Sequence, residues 1–380
     1  MEATGKRFLY IDNLRLLVIM LVIIMHLSGT YSGFGSWYVT EGKPVGLIST
    51  VIFGFYQSFT QGYFMGLLFL LSGFFIPGAY DRKGFSKYVR DRFIRLGIPT
   101  LIYMLAITPF ILYVQLDLNW ARPKPSFISY YFHYLGNLQF IRNSGPMWFA
   151  FALLIFSVIY GLVRVSGKGQ NTSREELKPK FKHEIILILI ISLCAFLIRL
   201  IQPIGTSILG MQLCHFSQYV ILFIVGMLAY RNNLFSKLDP KSGKMWLFFG
   251  LIPGTIVWLA IMILGGAIHG DQSFNGGLSW QAAAYALWES FVAVSMSIGL
   301  LTLFKEKFNH QTKLVKILAD NSFAVYVFHP PIIIAAAQLI KPLAWLPILK
   351  FALLSLICIP VCFAFTYFIV RRIPLLKKVM

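Results

Sequence analysis

The sequence predicts an all-α integral membrane protein, a bundle of about ten transmembrane helices with both termini cytoplasmic. Three observations predict it. The first is composition: of 380 residues, 57% are apolar and only 13% charged, about half the charge of an average soluble domain. Mean hydropathy is +0.71, and 35 Phe against 14 acidic residues cannot be arranged into a water-facing surface. The second is segmentation. A hydrocarbon core of about 30 Å takes roughly 20 apolar residues per helix, and the chain supplies ten such runs. The third is the position of the basic residues. A net charge of +20 spread over a soluble surface would suggest nucleic acid. Here the charges sit in short clusters between apolar runs, as on a cytoplasmic membrane face. The expected partner is the lipid bilayer and no nucleic acid.

Taken in order, the first run covers residues 14–33. Lys6 and Arg7 precede it as they would a signal peptide. It holds Arg15 and His26, is too long for an h-region and has no small-residue cleavage site, so it is expected to persist as a helix. The second run, 50–77, is long enough to tilt or kink. Runs at 97–116, 147–165 and 185–201 follow, then 215–230, which is short and starts polar. Runs at 246–267, 284–304, 322–340 and 347–370 complete the set. Twenty-six of the 34 Lys and Arg fall in the two tails and in every second connection. The alternate side collects Lys43, Arg122, Lys124, Arg142, Arg199, Lys341 and Lys350, and Arg15 lies within the first run. One misplaced helix would mix these sets, so both termini are expected in the cytoplasm.

The sequon Asn171-Thr172-Ser173 then lies on the inner side and is expected to stay unmodified. The longest outer connection carries Trp120, Tyr130, Tyr131, Phe132 and Tyr134, suited to an interfacial belt or to a surface on which sugar rings stack. Cys194, Cys214, Cys358 and Cys362 lie in or beside apolar runs, without metal-ligand partners. They read as small buried hydrophobes, and no disulfide or metal site is expected. A single membrane domain over residues 1–380, without an appended soluble domain, is expected.

Ionisable groups within a span cost about 2.5–3.5 kcal/mol each on insertion scales and mark function by default. Arg15 and His26 are eleven residues apart, three turns plus about 20°, so they share one face about 16 Å apart along the axis. Singly, each has a bland reading: a snorkelling arginine, or a histidine satisfied by a neighbouring helix. Arg92 and Arg95 sit one turn apart at the mouth of the third run. They serve equally as a topology signal or as a guanidinium clamp for pyrophosphate. Small Ser72 and Gly73 within an aromatic helix point to close helix contact. Tyr326 and His329 lie one turn apart, and Pro330-Pro331 behind them opens backbone carbonyls. Glu289 is the carboxylate inside an apolar run.

These residues carry a resemblance. Arg15-x10-His26, the stretch from Phe69 through Leu71-Ser72-Gly73 to Phe74, Arg92-x-x-Arg95-Leu96-x-x-Pro99, Met147-Trp148-Phe149 and Tyr326-x-x-His329-x-Pro331 resemble, in order, the motifs of the acyltransferase-3 family. The string from Tyr10 to Arg15 and Gly145-Pro146-Met147-Trp148-Phe149 look most like the branch with glucan-modifying, succinyltransferase-type proteins. The match runs from residue 10 to 331. It implies a multi-pass acyltransferase of a bacterial cell membrane, with acyl-CoA (acetyl-CoA or succinyl-CoA) as cytosolic donor and a hydroxyl acceptor, commonly on a glycan, at the outer surface. Members often carry an extra periplasmic esterase-like domain that is not found in this chain, so a separate partner completing the transfer stays open, as does a homodimer.

Under that resemblance Arg92, Arg95 and Arg15 would hold the donor's phosphates, and the pantetheine arm would deliver the thioester towards His26. A histidine titrating near neutrality suits proton removal from a hydroxyl; equally, His26 could carry the acyl group transiently. Glu289 and Tyr326 are candidates to fix its tautomer. His329 would polarise the thioester carbonyl or line the path, and Trp148 would meet the acceptor. The competing class is a transporter or flippase, which also uses intramembrane His, Arg and Glu. Such proteins carry internal repeats, and no such symmetry is found in the sequence.

Overall fold

A computed structural model describes residues 7–35, 37–42, 45–119, 124–167, 180–374 and 376, with the backbone alone at 117–119. Lys6, Lys43, Trp120, Arg122, Lys168, Arg174, Lys178 and the Asn171-Thr172-Ser173 sequon lie outside them. Every long element among the described residues is a helix: α1 (Leu9–Tyr31), α2 (Leu47–Arg92), α3 (Ile98–Ile102), α4 (Thr108–Asn119), α5 (Phe127–Gly136), α6 (Gln139–Arg142), α7 (Trp148–Val165), α8 (Phe181–Arg199), α9 (Phe216–Arg231), α10 (Pro240–Leu264), α11 (Trp280–Lys307), α12 (Lys313–Ile340) and α13 (Pro347–Phe368). The chain is a multi-pass, all-α membrane protein.

Among the described residues, nine stretches are long and apolar enough to cross a membrane, against the ten runs predicted. The difference has a physical cause. One stretch, Leu47–Leu116, is 70 residues long, about 105 Å if straight and over three times a hydrocarbon core. It contains the second and third predicted runs. Gly84, at φ 66°, breaks the helix between them, and π-helical turns at Phe93–Gly97 and Tyr103–Ile107 flank α3. The other eight stretches each coincide with one predicted run, shifted by a few residues. α12 starts nine residues earlier than the hydropathy indicates, because the Thr312 side chain accepts the Val315 N–H and caps it there.

Polar side chains set three further starts, Ser126 capping α5 among them. Asp239 caps α10 and Ser279 caps α11, while Pro240 and Pro347 occupy first turns, where a missing N–H costs nothing. Small residues set the packing. A Cβ on Gly226 of α9 would collide with the Leu70 carbonyl of α2, and one on Gly73 of α2 with the Phe223 carbonyl of α9. The two backbones therefore touch, and the Leu71-Ser72-Gly73 motif is explained by that approach. α11 is the most enclosed span, and α8 and α10 are the most open.

α1 is tied at both ends. At its start, the Asn13 side chain donates to the Phe308 and His310 carbonyls at 2.6 and 2.9 Å, binding α1 to the α11–α12 connection. At its end, Gln57 of α2 donates to the Ser28 and Ser32 hydroxyls at 2.9 and 3.0 Å. α1 and α2 thus run antiparallel, with Phe8 packed on Phe74. The aromatic connection is helical as α5: Ile128 and Phe132 are exposed, whereas Tyr134 is buried and donates to the Met104 carbonyl at 2.8 Å.

Candidate active site

Three parallel rings gather near the carboxyl-terminal end of α1. His26 stacks on Trp37 with ring centroids 3.7 Å apart and planes 19° from parallel. His329 of α12 lies 5.2 Å from His26 at 16°, and Trp37 and His329 are 6.4 Å apart at 10°. Such stacking fixes both imidazoles in orientation. His26 therefore faces protein. The two histidines that the sequence separates by three hundred residues share one site.

The kink-prone Pro330-Pro331 pair explains how His329 is held. Its Nδ1 lies 2.8 Å from the Tyr326 carbonyl and 3.2 Å from that of Val325, both acceptors. The proton of the neutral ring is therefore on Nδ1, and Nε2 is a lone pair. That Nε2 is buried and unpartnered among the described residues. In that neutral tautomer Nε2 accepts a hydrogen bond, so polarising a thioester carbonyl would take the protonated ring, while lining the path takes either form.

Tyr326 is also assigned differently from the expectation. Its hydroxyl donates to the Pro146 carbonyl, so its proton is spent on tying α12 to the turn before α7. Gly145 in that turn has φ 52°, and a Cβ there would collide with the Tyr38 hydroxyl; only glycine fits. The Gly145-to-Phe149 string is thus a structural joint. Trp148 is drawn inward, stacked on Tyr219 of α9 at 5.6 Å and 26°.

Glu289 belongs to a separate cluster. Both its oxygens are engaged: one accepts from the Arg199 guanidinium, and the other lies 2.9 Å from Nδ1 of His215. All three side chains are buried. A carboxylate held by two basic partners is not what orients His26. Arg199 and Lys350, which count as flanking charges in the topology pattern, are in fact wholly buried. Lys350 of α13 donates to Glu41 at 2.6 Å, in the connection that carries Trp37.

The arginines converge at the other end of α1. Arg15 lies 3.7 Å from Asp12 and stacks over Phe75 at 4.7 Å, so it too faces protein. Asp12 also accepts from Arg7 at 2.5 Å. Arg92, lying over the Tyr88 ring at 5.3 Å, is within electrostatic reach of both Arg15 and Arg95. Among the described residues no carboxylate pairs with Arg92 or Arg95, leaving their donors for an anion.

The structure thus brings His26 together with His329, and Arg92 within electrostatic reach of Arg15. Tyr326 touches His329, with ring centroids 6.4 Å apart and its carbonyl 2.8 Å from Nδ1, but its hydroxyl is turned to Pro146; Glu289 and Trp148 belong to other clusters. Trp37, Arg199, His215 and the Glu41–Lys350 pair are what the sequence reading misses. His215 could have been found from the polar start of its run; Trp37 gives no periodic signal, because it reaches His26 from a connection.

Comparison with known proteins gives the family of the chain. The model of the acyltransferase domain family called acyltransferase-3 matches residues 8–367. The chain is 26% identical over 392 aligned residues to glucans biosynthesis protein C of Salmonella schwarzengrund (strain CVM19633), covering 98% of this chain and 94% of the relative. It is similarly 26% identical to the protein of that name from Salmonella heidelberg (strain SL476), with the same coverage. Identity to that of Salmonella paratyphi B (strain ATCC BAA-1250 / SPB7) is 25%, again with the same coverage. No solved structure matches the chain significantly.

Proposed function

The chain belongs to the acyltransferase-3 family and is a membrane acyltransferase; from that premise we propose that it moves an acetyl or succinyl group from cytosolic acyl-CoA to a hydroxyl of a cell-surface or periplasmic glycan. His26 is the general base that takes the hydroxyl proton, or the group that carries the acyl for one step. The observation that carries the reading is the stack of His26 on Trp37 at 3.7 Å beside His329, about 16 Å along α1 from Arg15. That spacing separates an anion site from a base by the reach of a pantetheine arm. The glucan acceptor class follows the name of the relatives, glucans biosynthesis protein C. In this reading both termini are cytoplasmic, the protein lies in the cell membrane and the whole chain acts as one domain.

His329 supplies an acceptor at Nε2 that orients a hydroxyl or amide proton of a bound substrate. The test is incubation of membranes holding the protein with labelled acetyl-CoA and succinyl-CoA, followed by analysis of labelled glycans. Label from at least one donor is expected in a glycan ester; label from neither would remove the reading.

Arg92, Arg95 and Arg15 hold the donor's phosphates. Replacing both Arg92 and Arg95 by Gln is expected to raise the donor KM by about 10²–10⁴-fold, since each charge-assisted contact contributes about 1.5–3 kcal/mol and two are lost, while kcat at saturation changes little. Steady-state kinetics across donor concentration checks this. An unchanged KM would return these residues to a purely topological role.

A further inference from the structure

Acyl transfer gathers negative charge on the thioester carbonyl oxygen, and a donor aimed at that oxygen is worth more than any other single contact in most such reactions. Several donors in this part of the fold are spent, one proton of the Tyr38–Tyr103 pair among them. Tyr326 donates to the Pro146 carbonyl, the Tyr38 and Tyr103 hydroxyls face each other at 3.3 Å, and the Gln57 amide serves Ser28 and Ser32. His329 offers a lone pair. Among the described residues several buried donors have no hydrogen-bond partner, the Tyr31 and Ser144 hydroxyls and Nε1 of Trp37 among them; of these, Trp37 is the one whose ring stacks on His26. Leaving such a group unsatisfied is costly, and it lies on the ring that stacks 3.7 Å from the imidazole of His26. Parallel rings direct their in-plane N–H and lone pairs into adjacent layers, which is the spacing between an attacking hydroxyl and the carbonyl it attacks.

The indole is held there from outside. The Glu41 N–H donates to the Thr30 carbonyl at 2.9 Å, the Glu41 carboxylate pairs with buried Lys350, and the Trp37 Cβ packs against α1 at Gly29. A residue fixed by this much of the fold is preorganised.

We propose that the Trp37 indole N–H is the oxyanion donor of the transfer, an inference that rests on His26 serving acyl transfer. The acceptor hydroxyl gives its proton to His26 as its oxygen bonds to the thioester carbon. The carbonyl π pair moves onto oxygen, where Trp37 holds it. When the C=O bond re-forms, the C–S bond breaks, and the leaving CoA thiolate takes the proton back from the imidazolium.

The test compares Trp37→Phe, which keeps a ring on His26, with site-specific replacement of Trp37 by benzothienylalanine, which keeps both fused rings and has sulfur in place of N–H. Both are measured in the full-length protein with labelled acyl-CoA and glycan acceptor. For the sulfur analogue the expected result is an unchanged amount of membrane-inserted protein, an unchanged donor KM and a kcat lower by about 100-fold, with Trp37→Phe at least as impaired. A sulfur analogue with wild-type kcat would overturn the proposal while His26→Ala stayed inactive. Full turnover by His26→Ala would instead overturn the reading beneath it.

Discussion

Replacing His26 by Ala lowers acyl transfer by about 10²–10⁴-fold, the usual contribution of a positioned proton acceptor, and the protein still reaches the membrane. Alanine is the best helix former, so α1 from Leu9 to Tyr31 keeps its backbone. What disappears is the imidazole and its stack on Trp37. His26→Phe separates these two losses, because it restores an aromatic face without a titrating nitrogen. Both variants are expected to be inactive per inserted molecule, measured as glycan label against protein quantified in the membrane fraction. A His26→Phe protein that transfers acyl groups at the wild-type rate would make His26 a packing residue.

Glu289→Gln has its main effect on stability. In the native chain Arg199 and Glu289 are buried, with side chains 0% and 5% exposed, and His215 completes the cluster at 2.9 Å. Removing one partner of a buried pair costs about 3–5 kcal/mol, because the remaining charge stays desolvated. The amide keeps the shape of the carboxylate and loses its charge, so Arg199 and His215 are left facing each other. The expected outcome is a clear fall in thermal midpoint in detergent and in the yield of folded protein, with kcat per folded molecule little changed. A Glu289→Gln protein of wild-type thermal stability and no turnover would restore Glu289 to the chemistry.

The helices were legible because a span must be long and apolar, and that requirement leaves its mark on every run. Their division at Gly84 was less so: hydropathy shows two runs there but not that one nearly continuous helical path joins them. In the candidate site, Arg15 and His26 were visible because they share one helix and a fixed periodicity. The meeting of His26 with His329 needed tertiary structure, since α1 and α12 are neighbours only in the folded bundle. Trp37 was hidden for a different reason, lying in a connection where spacing carries no angular information. Arg199 and Lys350 read as flanking charge, and their partners Glu289 and Glu41 stay hidden, because in a linear pattern a basic residue near the end of an apolar run looks the same whether it meets water or a carboxylate.

The contact of Gly73 and Gly226 with the opposite main chains has a mechanical consequence. Where two helices meet through their backbones, no intervening layer of side chains can repack to let one slide along the other. α2 and α9 therefore form a stiff double strut through the bundle, with Gln61 and Tyr219 joined towards one end by a 2.9 Å bond. Any widening beside the imidazole pair is then left to α12, α13 and the short tether that carries Trp37.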